Sequence, residues 1–106
     1  MTAAPPRQEE RQARHVAVAG LDRLLAVSPP CTAQEAMDAM RSVVALRDTL
    51  VERRREDGPS PELDRRLAGA NAALSLTWSG AVPVSGFRRK RLEKARDALA
   101  REAEDI

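Results

Sequence analysis

Between Arg7 and about Val27, Val18, Leu21, Leu24 and Leu25 recur at three- and four-residue spacing among charged positions. That is the period of one face of an α-helix. Ala17 and Val27 widen the face. A second stripe, Met37, Met40, Val43, Val44, Leu50 and Val51, predicts a helix that runs to about Glu56. Leu63, Leu67, Ala70, Leu74 and Trp78 predict a third. Leu92, Ala95, Leu99, Ala103 and Ile106 predict a fourth from near Gly86. No segment alternates convincingly at period two, so an all-α chain is expected.

The punctuation between the stripes agrees with this division. "SPP" at Ser28 to Pro30 stops the first helix, because a residue before proline avoids the α region. Thr32 followed by Glu35 forms a capping-box pattern for the second. "DGP" ends that helix, with Gly58 suited to a left-handed cap. Ser60 caps the third, and Pro61 takes its first position, where a missing N–H costs nothing. Gly80 closes the third, and Ser85 is the expected cap of the fourth. Gly20 interrupts the first stripe. Its cost of about 1 kcal/mol relative to alanine points to a kink or a close helix contact.

Four helices of similar length joined by short connections become antiparallel neighbours. The expected architecture is a small antiparallel four-helix bundle. The alternative is a three-helix core with the first helix loosely docked or swapped onto another subunit. Residues 1–6 read as an N-terminal arm and 7–106 as a single domain.

Composition narrows the picture. Of the 106 residues, 42% are hydrophobic but only 2% aromatic, so Leu, Val, Ala and Met must fill the core. Such a core is thin, and thin cores are often completed by a second chain. A net charge of +2 against 32% charged residues argues for local clusters rather than a general nucleic-acid coat. One cysteine excludes an intramolecular disulfide. The first fifteen residues lack an apolar h-region, and no stretch approaches the ~20 apolar residues of a membrane span. A cytoplasmic location without membrane contact is the expectation.

Candidate chemistry is sparse. His15 and Cys31 are each the only residue of their type, and no spacing adds carboxylates to make a metal site. His15 reads as a surface or half-buried structural residue. Cys31 reads as an ordinary thiol, with no base near it in sequence. Glu10 with Arg14, Glu62 with Arg66 and Asp97 with Arg101 have the favourable i,i+4 order of solvated helix faces. No phosphate loop or nucleophile motif appears. The chain is therefore expected to be no enzyme and to use no cofactor.

The stretch "LTWSGAVPVSGFRRKR" carries the remaining signal. Arg88, Arg89, Lys90 and Arg91 crowd the first turn of the fourth helix, where the dipole is positive. Glu102, Glu104 and Asp105 sit near its negative end. Helix stability does not explain that arrangement. In an up-down bundle the acidic end would lie near Arg53, Arg54, Arg55, Arg65 and Arg66. The basic turn would face mainly Glu35 and Asp38.

Three roles compete for the basic turn: a solvated surface, pairing with an acidic protein surface (including another copy), and phosphate or nucleic-acid contact. Trp78 extends the third stripe and reads as a structural plug. Phe87 lies about 140° from Leu92 around the helix and is a candidate anchor beside the cations. The sequence thus points to protein association or self-assembly, with a homodimer expected. The contact would be made by Phe87, Arg88, Arg89, Lys90 and Arg91. Accessory nucleic-acid or anion binding is the runner-up.

Overall fold

The computed structural model describes the backbone of residues 7–26, 33–78 and 86–104, and the side chains of residues 7–26, 34–77 and 89–101. Four α-helices follow one another: α1 (Gln8–Ala26), α2 (Ala33–Asp57), α3 (Pro61–Trp78) and α4 (Gly86–Glu104). Each packs on the next, and α4 closes the ring against α1. There is no strand among the described residues.

Ion pairs fix the directions. Arg7, just before α1, bonds Glu56 and Asp57 at the end of α2. Arg54 near the end of α2 bonds Asp64 at the start of α3. Arg89 in the first turn of α4 reaches the Leu25 carbonyl at the end of α1. The result is an up-down-up-down bundle, about 46 Å long and 20 Å across.

The turn between α2 and α3 follows its local chemistry. Gly58 takes φ +83°, a left-handed conformation that costs glycine little. Its N–H donates to the Arg54 carbonyl at 2.9 Å. Ser60 Oγ accepts the Leu63 N–H at 3.1 Å, which caps α3 as its sequence requires. The caps expected at Thr32 and Ser85, and the stop at Gly80, lie outside the described residues.

Leu21 and Leu24 of α1, Val43, Leu46 and Leu50 of α2, Leu63 of α3, and Leu92 and Leu99 of α4 form the core with alanines between them. α1 supplies Ala17, Leu21 and Leu24 to it, so it is a full member of the bundle and not a loosely docked arm.

α2 buries Val43 and Leu50 of the expected stripe but turns the rest of it away from the core. Ala39 and Leu46 are buried, while Met37 is 44% exposed. Met40, Val44 and Val51 are half-buried. The cause is the approach of α1. A Cβ on Gly20 would meet Ser42 Oγ at 3.0 Å and Ala39 Cα at 3.4 Å. This close contact turns the small residues of α2 towards α1. At 3.6 residues per turn, Met37 then falls about 160° from Ala39, away from the core.

Candidate interaction surfaces

The most deeply placed charges are structural. Glu10, Arg14 and Arg66 are each only 1% exposed. Arg14 Nη2 donates to Glu10 Oε2 at 2.9 Å, and Arg66 Nη2 donates to Oε1 at 3.3 Å. Arg66 Nε lies 2.9 Å from Oε2 without an aligned hydrogen bond. Arg14 Nη1 reaches the Leu99 carbonyl at 3.3 Å. One carboxylate thus ties α1 to α3, and one guanidinium ties α1 to α4.

This corrects the solvated-face reading of two pairs. Glu10 and Arg14 are inside the bundle, and Arg66 bonds Glu10 while Glu62 accepts from Arg65 at 2.6 Å. Asp97 accepts from Arg96 at 3.0 Å. The signal for burial was present in register. Glu10 and Arg14 extend the Ala17, Leu21, Leu24 stripe by two further turns, and Arg66 lies on the Leu63, Ala70 stripe.

Other arginines join helices at the surface. Arg96 of α4 grips Asp22 of α1 with two bonds, at 2.5 and 3.2 Å. Asp22, followed by Asp97, holds the Arg96 guanidinium protonated well above its ordinary range. Arg7 is likewise shifted upward, first by Glu56 and then by Asp57. The Asp57 carboxyl is pulled below its usual range, chiefly by the hydrogen bond from Arg53. Arg53, Arg54, Arg55 and Arg65 therefore find acidic partners within α2 and α3. The side chains of the acidic end of α4 lie outside the described residues.

The five expected contact residues do not behave as one group. Arg89 Nε donates to Glu93 at 3.2 Å, and Nη2 donates to the Leu25 carbonyl. It sits on the negative end of the α1 dipole, which explains in part why a cation belongs at this end of α4. Lys90 and Arg91 are exposed and make no ion pair. Lys94 and Arg101 continue the same outward side of α4, also exposed and without an ion pair among the described residues. Glu93 and Asp97 edge a shallow groove beside Lys90, Arg91 and Lys94. The side chains of Phe87, Arg88 and Trp78 lie outside the described residues, as does Cys31. His15 is exposed.

A second surface follows from the rotation of α2. Met37, Val44 and Val51 recur every seven residues along its outward side, with Met40 at the edge. Arg41 and Asp48 stand between them, both exposed. Among the described residues, Arg41 makes no ion pair, and Asp48 accepts only from adjacent Arg47 at 3.0 Å.

Among the described residues, no three His, Cys, Asp or Glu side chains are grouped to hold a metal ion. No described helix is long and apolar enough to cross a membrane. Comparison with protein-family models, with curated proteins and with solved structures finds no match to this chain.

Proposed function

We propose that this bundle works by binding another protein surface and performs no catalysis of its own. The reading rests on the outward side of α2. Its Met37 is nearly half exposed, and Met40, Val44 and Val51 extend the same apolar line that the core leaves unused. Isolated exposed apolar residues are ordinary, but a line of them along one helix is a common docking edge. Methionine suits that role, because its flexible side chain adapts to a partner.

The test is a photoreactive amino acid placed at Met37 or, as a control, at Glu93, in the organism of origin. Crosslinks to protein from position 37 and not from 93 are expected. No adduct from position 37 would end the reading.

A second reading has its own support. Lys90, Arg91, Lys94 and Arg101 are exposed along one side of α4 and form no ion pair among the described residues, which fits an anionic partner such as nucleic acid. Binding to a fluorescent oligonucleotide at low salt, lost when Lys90, Arg91 and Lys94 become Gln, would favour it. Absence of binding at low salt would remove it.

A further inference from the structure

We infer that the outward side of α2 is a two-fold interface, occupied by α2 of a second copy running antiparallel. This rests on the association reading above and names its partner. The argument is the order of residues along one stripe. Met37, Val44 and Val51 are spaced by seven, and so are Arg41 and Asp48, which lie between them. A two-fold axis through Val44 sets Val44 on the partner's Val44 and Met37 against the partner's Val51. The same axis sets Arg41 within one residue, roughly 1.5 Å of rise, of the partner's Asp48. Asp48 meets the partner's Arg41 in return. The contact is isologous: one stripe supplies both halves.

Charge selects this direction. A parallel pairing in register would place Arg41 beside the partner's Arg41 and Asp48 beside the partner's Asp48. Like charges facing each other are disfavoured, and the antiparallel arrangement replaces both clashes with attractions. It also supplies a counter-charge to Arg41, which forms no ion pair among the described residues. The stripe from Met37 to Val51 is about 21 Å long and one helix wide. That is less than the area of a standard stable interface, so the dimer forms at micromolar or higher concentration.

Sedimentation velocity of the full chain from about 1 to 500 μM tests this, since that range brackets weak association. The wild type should pass from monomer towards dimer. Arg41→Asp and Asp48→Arg each set like charges against each other at two symmetric positions. Each should weaken dimerisation by about tenfold or more. The double variant, Arg41→Asp with Asp48→Arg, restores both attractions and should recover the wild-type constant. Both positions are exposed, and circular dichroism checks that every variant keeps its helix content.

A monomer throughout the range overturns the inference. So does a dimer that ignores the single charge reversals, or one that the double reversal fails to recover. The association reading is judged separately. Position-37 crosslinks to a different protein, with a monomeric wild type, would retain association and reject self-pairing. No crosslink from position 37 would reject both.

Discussion

The guanidinium of Arg14 in α1 donates to the main-chain carbonyl of Leu99 in α4 at 3.3 Å, from a side chain that is 1% exposed. A charged group has therefore taken a core position, and the bundle has built partners around it. Glu10 is the hinge of that arrangement, because its carboxylate meets both Arg14 and Arg66.

Glu10→Gln should consequently be the most damaging change in this cluster. It removes the carboxylate that both buried guanidiniums touch, and breaking a buried pair costs about 3–5 kcal/mol. Arg14→Met should cost less, because the remaining Glu10–Arg66 pair is balanced. Replacing all three with Leu, Met and Met should be neutral, or stabilising by about 1–4 kcal/mol, if packing is preserved. Urea unfolding of the three variants would rank them. A single Glu10→Gln variant as stable as the wild type would show that the cluster is not paired as described.

The contact of Gly20 with Ser42 is separable from the helix cost of glycine. Gly20→Ala alone should change stability little. The gain of about 1 kcal/mol in helix propensity is offset by crowding of Ser42 Oγ. In a Ser42→Ala background the obstruction is gone, and the same substitution should stabilise by up to about 1 kcal/mol. Gly20→Leu should destabilise by about 1–3 kcal/mol or more, because the helices must separate. Thermal melts of the double-mutant cycle decide this. Equal effects of Gly20→Ala in both backgrounds would mean that the two residues do not touch.

The basic start of α4 divides into a structural and a free part. Arg89→Gln removes the donor to the Leu25 carbonyl and a cation at the α1 C-terminus, and should cost about 0.3–1 kcal/mol. Arg91→Gln should stay within about 0.5 kcal/mol of the wild type, as a surface change. Chemical denaturation at low salt would resolve the pair. A larger loss from Arg91→Gln than from Arg89→Gln would reverse the assignment.

Asp57 carries a pH dependence of definite sign. Its folded carboxyl titrates below the ordinary aspartate range, chiefly because Arg53 bonds the ionised form. Its contribution is therefore complete above the unfolded pKa and fades as pH falls through the lower folded value. Carbon-detected NMR titration should place Asp57 below ordinary aspartates, and Arg53→Gln should move it upward. An unmoved titration would show that Arg53 is not the cause.

Much of the bundle is legible from spacing and caps. Ser60, Pro61 and Gly58 mark the turn between α2 and α3, and the four apolar stripes place the helices to within a residue or so. The α2 stripe found Val43 and Leu50, but did not reveal that Ala39 and Leu46 would join them while Met37, Met40, Val44 and Val51 turned outward. That rotation follows from the approach of Gly20 on Ala39 and Ser42, a tertiary contact. The buried ions were misread for a different reason. Glu10, Arg14 and Arg66 have the right register for the core, yet charged residues seldom enter a core unless paired, and Glu10 and Arg66 are far apart in the chain. Of Phe87, Arg88, Arg89, Lys90 and Arg91, which the sequence offers as one contact, Lys90 and Arg91 are exposed, Arg89 bonds Glu93 and the Leu25 carbonyl, and the side chains of Phe87 and Arg88 lie outside the described residues.

The most direct test of the α2 interface is a dilution series of amide NMR spectra, from about 1 mM to 20 μM, a window suited to weak dimers. The account predicts concentration-dependent shifts at Met37, Arg41, Val44, Asp48 and Val51, with Lys90, Arg91 and Lys94 unchanged. Spectra that do not vary, or shifts gathered along α4 while α2 stays fixed, would contradict it.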